Sequence, residues 1–194
     1  MNAPQKPMPP SGARKVFSGV MWSVWQWQQK MYDGSFETFE MVERADAATA
    51  FVIADNAILL QEQEQPDREH PFLSFPGGRI DPGETPAQAI VREVLEETGY
   101  KGDAPELWNV DVPSRKMSWA VYYYIIRNAQ KVAEPLAQKG ERFIHEWVTF
   151  DDLFRVIHRD HFRDRGLKIE LLDIGHSPKK KEEFRNLLFR GSSS

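Results

Sequence analysis

The sequence predicts an α/β fold, a mixed β-sheet sandwiched between helices and preceded by a small N-terminal antiparallel β extension. Three observations carry that expectation. Alternating apolar runs come in pairs separated by turn dipeptides, and one strongly capped helix follows a glycine-rich loop. Further strands recur beyond that helix before two amphipathic segments close the chain.

Taken in order, residues 1–13 are proline-rich and polar and read as a flexible tail. Residues 14–44 form an N-terminal β-hairpin region. Lys15 to Met31 carries aromatic and β-branched residues in alternation, and Phe36 to Arg44 alternates again. Asp33-Gly34 between them tolerates the positive φ of a tight turn. The main domain, 45–190, opens on a second hairpin, AFVIAD and AILLQEQE, turning at Asp55-Asn56. A polar loop over 65–73 then leads into FPGGRIDPGE. Thr85 is placed as an N-cap, Pro86 suits the first helical position, Gln88 completes a capping box, and Gly99 stands where a left-handed C-terminal cap belongs. Ala87, Ile90, Val91, Val94 and Thr98 share one face of this helix, which should turn to the core. Strands are expected at 106–112, 118–127 and 143–150, with a polar loop at 128–142. DDLFRVIHR and PKKKEEFRNLLFR read as helices, and 191–194 as a tail.

Composition narrows the function. The chain is 41% hydrophobic and 28% charged, an ordinary globular balance. Its net charge of -4 gives no long-range pull toward nucleic acid or acidic membranes, so an anion would have to be held by cations or metal placed locally. Without cysteine there are no disulfides, thiolate zinc sites or cysteine nucleophile. The first residues lack the apolar core of a signal peptide, and no apolar run approaches the ~18 residues that span a bilayer. The expectation is a cytoplasmic protein with no nucleic-acid or membrane partner.

Chemistry is concentrated on the capped helix. Glu93, Glu96 and Glu97 are spaced i+3 and i+4, so they share one face, directed away from the apolar stripe. Alone, that is equally a solvated acidic face balanced by Arg92. The segment in front changes its meaning. GRIDPGETPAQAIVREVLEETGY reads G-x5-E-x7-R-E-U-x-E-E-x-G-U, with U apolar. Gly78, Glu84, Arg92, Glu93, Glu96, Glu97 and Gly99 occupy the fixed positions, a coincidence expected on the order of once per million chains of this length.

This is the Nudix box, and the chain resembles the Nudix hydrolase family at these residues. The resemblance implies a Nudix fold and hydrolysis of a diphosphate linkage with Mg²⁺, for which Mn²⁺ can substitute. It implies Glu93 and Glu97 as principal metal ligands, with Glu96 and the Gly77 carbonyl beside them. Glu84 and Arg92 then order the loop against the helix. Hard divalent cations prefer oxygen ligands and bridge substrate phosphates, which fits such a carboxylate cluster. The metal activates water, and a carboxylate takes its proton. In the family this base is often a glutamate on a later loop, which points to Glu141, with Glu96 as the alternative.

The substrate must be read outside the box. An aromatic N-terminal hairpin followed by EMVERADAATAFVIAD, and GERFIHEW later, resemble the ADP-ribose pyrophosphatase branch. That resemblance implies a small nucleotide substrate, ADP-ribose or a related nucleotide sugar, and a homodimer formed through the extra sheet. Trp25 and Trp27, two apart on one strand, are candidates to stack on a base, or equally to pack the sheet. Arg115 and Lys116 are candidates to meet phosphates, or equally belong to a solvated loop. The chain departs from that branch at Ser74 to Gly78, at Gln61 to Gln65 and at Pro113 to Lys116. The competing readings are a nucleoside triphosphate pyrophosphohydrolase and a non-catalytic Nudix-fold binding module.

Overall fold

A computed structural model describes residues 4–136 and 140–191. The chain begins with β1 (Arg14–Ser18), β2 (Ser23–Lys30) and β3 (Phe36–Glu43). Then β4 (Ala47–Ala54), β5 (Ala57–Glu64), β6 (Phe72–Ser74) and β7 (Gly77–Arg79) lead into α1 (Pro86–Thr98). Next come β8 (Tyr100–Lys101), β9 (Glu106–Asp111), β10 (Met117–Ser118), β11 (Val121–Ile126), β12 (Gln130–Lys131) and β13 (Arg142–Thr149). Three helices follow: α2 (Phe150–Val156), α3 (Arg165–His176) and α4 (Pro178–Phe189).

The central device is the β4–β5 hairpin. Asp55 and Asn56 both adopt positive φ (47° and 60°), the backbone of a two-residue turn whose twist matches the flanking strands. The two strands pair only next to that turn, at Ile53↔Ile58 and Ala54↔Ala57, and then diverge. β4 continues between β7 and β11, which it pairs in parallel, while β5 continues between β6 and β13. Alternation along β4 sends Ala48, Ala50 and Val52 to one side, against Ile90 and Val94 of α1. Phe51 and Ile53 point to the other side and join Leu153, Leu167, Leu171, Phe184 and Leu188 of α2, α3 and α4. The small alanines let α1 approach closely. The result is the expected mixed sheet between helices. Among the described residues no helix is long and apolar enough to cross a membrane.

The N-terminal region is a second sheet in the order β1-β2-β3-β10. Its β2–β3 turn forms where expected, with Gly34 at φ 89° and Asp33 accepting the Ser35 N–H at 2.9 Å. The run from Lys15 to Met31 is two strands, however, because the Gly19 N–H donates to the Trp22 carbonyl at 2.8 Å and reverses the chain. Residues 118–127 also divide. Ser118 pairs with Glu43 of the N-terminal sheet, whereas Val121 pairs with Ala47 of the main one. At the crossing the Ala120 N–H donates to the Asp46 carboxylate at 2.9 Å. Residues 4–13 run along the body, and Lys6 forms an ion pair with Asp46 at 2.8 Å. Helix α3 was not anticipated, although Leu167, Leu171 and Ile174 lie at helical spacing and are buried.

Candidate active site

Helix α1 is anchored at both ends as its sequence dictates. Thr85 accepts the Gln88 N–H while the Gln88 side chain accepts the Thr85 N–H, and Gly99 caps the far end at φ 74°. That fixes the rotation of the helix. Glu93 and Glu97, four residues apart, are then nearly as covered as the apolar stripe, at 8% and 7% exposure. Of the three glutamates only Glu96 reaches solvent, because β7 and β5 roof the other two. Two glycines make this roof feasible. A Cβ on Gly77, whose φ is +152°, would lie 2.2 Å from the Ala48 carbonyl oxygen of β4. One on Gly78 would fall 2.6 Å from the Glu93 carboxyl. Bare backbone is required for strand and carboxylate to share this space.

Arg92 organises the exposed side. Its Nε and Nη2 donate to the two Glu84 oxygens at 2.9 Å each, a bidentate pair, and Nη2 also donates to the Arg79 carbonyl at 3.1 Å. Its Nη1 reaches Glu93 at 2.9 Å and Glu96 at 3.3 Å. Glu84 also accepts the Asp81 N–H at 3.1 Å, closing the loop onto the helix. Hydrogen bonding by Arg92 brings the Glu84 pKa down to about 2, and Glu84 in turn raises that of Arg92. Burial raises Glu93 despite its contact with Arg92.

Glu97 differs in kind. Among the described residues its carboxylate accepts only neutral donors, the Gly77 N–H at 2.8 Å and the Gln61 amide at 2.9 Å. Burial, reinforced by the charges of Glu93 and Glu141, raises its pKa to about 8. Around it, Gln61 Oε1 and His145 Nε2, from residues directly paired across β5 and β13, are buried without partners among the described residues. A buried carboxylate lacking a counter-charge beside orphaned polar atoms is the environment that a hydrated hard cation satisfies. Among the described residues no three acidic or histidine side chains already converge at ligand spacing. Arg92 Nη1 instead holds Glu93 and Glu96 together. The donor chemistry of this cluster therefore fits a divalent cation.

The remaining candidates fall into two groups. Glu141 precedes β13, accepts the Gln65 amide at 3.0 Å and acts electrostatically on Glu97, so it borders the cluster. Its neighbours Gln138 and Lys139 lie outside the described residues. Trp25 and Trp27 belong to β2 of the N-terminal sheet, and Lys116 to the turn that leads into β10. Trp25 donates to Glu43 at 2.7 Å, and Lys116 sits over Phe39 at 4.2 Å and Trp27 at 6.0 Å. Arg115 is exposed on the adjoining loop. None of these four is among the hydrogen-bond or ion-pair partners of the glutamates of α1. Sequence reasoning missed Gln61 and His145. The signal was available: Leu59, Gln61 and Gln63 alternate on one buried face of β5, where polar side chains call for partners. Two surface concavities flank the β4–β5 turn, around Phe150 with Arg190 and around Tyr100 with Trp147, and neither includes a glutamate of α1.

A NUDIX domain pattern matches residues 43–170, from the end of β3 into α3. The chain belongs to the Nudix hydrolase family. This Nudix chain is 29% identical over 126 residues to human diphosphoinositol polyphosphate phosphohydrolase 3-beta, covering 64% of the chain and 73% of that protein. It is 35% identical over 72 residues to the 8-oxo-dGTP diphosphatase of Haemophilus influenzae, 36% of the chain and 50% of the relative. The match to a Caenorhabditis elegans Nudix relative, 34% over 96 residues, spans only 25% of that longer protein. In structure, the chain is similar to an ADP compounds hydrolase with a TM-score of 0.66, over 95% of this chain and 100% of the other. At 18% identity that is a likeness of fold. Nudix enzymes generally use divalent metal cations.

Proposed function

We propose that this Nudix enzyme is a Mg²⁺-dependent pyrophosphohydrolase that cleaves the diphosphate bond of a nucleoside diphosphate joined to another moiety. The observation that carries the reading is Glu97, buried on a turn of adjacent glycines with no cationic partner among the described residues, beside Glu93. Glu93 and Glu97 hold the ion, with Glu96 and the Gly77 carbonyl beside them. When bound, the ion neutralises phosphoryl oxygens and acidifies a water molecule. Gln61 and the Gly77 N–H fix the Glu97 carboxylate, and the Glu84–Arg92 pair holds the loop against α1. Glu141, which accepts a hydrogen bond from the neutral Gln65 amide, accepts the proton of the attacking water. Glu96 suits that task less well because Arg92 already engages its carboxylate.

ADP-ribose heads the substrate panel, on the strength of the N-terminal sheet and the fold shared with an ADP compounds hydrolase. With Mg²⁺ it is expected to yield AMP and ribose 5-phosphate, resolved by ion-exchange chromatography. Nucleoside triphosphates, 8-oxo-dGTP and diphosphoinositol polyphosphates complete the panel. Pyrophosphate released from triphosphates, with nucleotide sugars untouched, would move the assignment to the triphosphate class.

The same reading includes a homodimer through the N-terminal sheet, which leaves Val16, Phe17, Val20, Met21 and Phe36 exposed. Sedimentation velocity should give a dimer that Phe17→Asp dissociates. A monomeric native protein at micromolar concentration rejects the arrangement.

A further inference from the structure

A protein of net charge -4 must gather cations locally to hold a polyanionic substrate. Outside the Nudix box, three arginines do so. Arg44, just past β3, places its guanidinium against Trp22 and Trp119, 5.1 and 4.6 Å from the ring centroids. Its Nε and the Trp119 Nε1 are both buried without a hydrogen-bond partner among the described residues. Arg68 and Arg163 come from distant parts of the chain, yet both lie on the ring of Phe72, at 4.8 and 4.6 Å. Partial burial, then the like charges of Arg68 and Arg44, lower the Arg163 pKa, with Asp164 and Asp67 acting in the opposite sense. Asp164, the acid next to Arg163, is already engaged by the Tyr123 hydroxyl at 2.9 Å and the Leu167 N–H at 2.9 Å.

The cluster lies near the carboxylates. Phe72 pairs with Gln63 of β5, and Gln61, two residues along the same face, holds Glu97. That step is about 7 Å of strand. The Arg163 backbone N–H is fixed to the Leu73 carbonyl at 2.9 Å, so Arg163 is carried by the strand that leads into the glycine turn. Two guanidinium groups on one ring, with a third beside unpartnered donors, are an arrangement that an oxyanion relieves, and guanidinium groups suit phosphoryl oxygens by geometry.

We propose that Arg44, Arg68 and Arg163 form an anion subsite that takes a phosphoryl group of the substrate beyond the one drawn to the glutamates. This rests on the pyrophosphohydrolase reading and names the feature that selects its substrates. The phosphoryl group is either the second one of the scissile diphosphate or a separate phosphomonoester on the same molecule.

Arg163→Gln and the double variant Arg68→Gln/Arg163→Gln test the subsite, since both side chains are exposed and can be changed without opening the core. Calorimetric titration with inorganic pyrophosphate in EDTA reads the arginines without turnover. Binding by the native protein, weakened at least tenfold in the double variant, is expected. In Mg²⁺ the variants should raise KM and leave kcat within a few-fold, on ADP-ribose and on 2′-phospho-ADP-ribose. Equal losses on both assign the subsite to the diphosphate itself, and a larger loss on the 2′-phosphorylated substrate assigns it to the monoester. Unchanged pyrophosphate affinity together with unchanged KM overturns the subsite. Absence of all nucleotide turnover refutes the enzymatic reading instead, while the EDTA titration still judges the arginines.

Discussion

Glu97→Gln is expected to reduce kcat by on the order of 10³-fold while leaving the fold intact and more stable at neutral pH. The two effects share one cause. Burial holds the Glu97 pKa at about 8, against 4.5 for a free glutamate. In the cation-free protein the native state therefore keeps a proton that the unfolded chain releases above pH 4.5. Its stability falls as pH rises from about 4.5 toward 8 and levels off beyond. Divalent cations should reverse the trend by binding the ionised form. Glutamine retains the shape and the amide partners without the charge, so the variant should lose both the pH slope and most of the Mg²⁺ response. Thermal melts from pH 5 to 9, with and without Mg²⁺, measure this beside a turnover assay. Native-like kcat, or an undiminished Mg²⁺-dependent rise in melting temperature, would remove Glu97 from the metal site.

The second large effect is on stability alone. Arg127→Met should destabilise the protein by about 3 kcal/mol and lower its melting temperature by roughly 10 °C, with kcat little changed. Arg127 is 9% exposed and sits at the end of β11. It donates to the carbonyls of Leu187 at 2.6 Å and Leu188 at 2.9 Å, and to Glu106 at 2.8 Å. Those carbonyls belong to the last turn of α4, where intrahelical donors have run out. Methionine fills much of the volume but leaves the helix end buried and unpaired. A melting temperature within 2 °C of native would show that the helix end finds other donors, such as water (about the margin of a single exposed contact).

The parts of this fold that local chemistry dictates were legible from residues alone. Helix α1 announced itself through Thr85, Pro86, Gln88 and Gly99, because each acts within a few positions of its own backbone. The Asp55-Asn56 turn and the box were legible for the same reason. What escaped depends on distant partners. A helical projection places Glu93 and Glu97 away from the apolar stripe, but nothing in it reveals that β5 and β7 cover them. Gln61 and His145 meet Glu97 only after β5 and β13 pair. Arg68 and Arg163 are far apart in the chain and meet on the Phe72 ring, and Arg44 finds Trp22 and Trp119 on two other segments. The break at Trp119-Ala120 was hidden because both halves of that stretch are good strand formers, and only their choice of partner differs.

That break has a mechanical consequence. Two residues after leaving β10, the partner of β3, the polypeptide enters the core of the main body as β11 alongside β4, and the Asp46 carboxylate ties the joint to Lys6 as well as to Ala120. The amino-terminal sheet is therefore stitched into its neighbour at several points and cannot swing as a loosely tethered flap. Whatever rests on its outer surface is held at a fixed bearing toward the glutamates. Excising the first forty residues would remove β1, β2 and most of β3 and leave a frayed seam at the Asp46 joint.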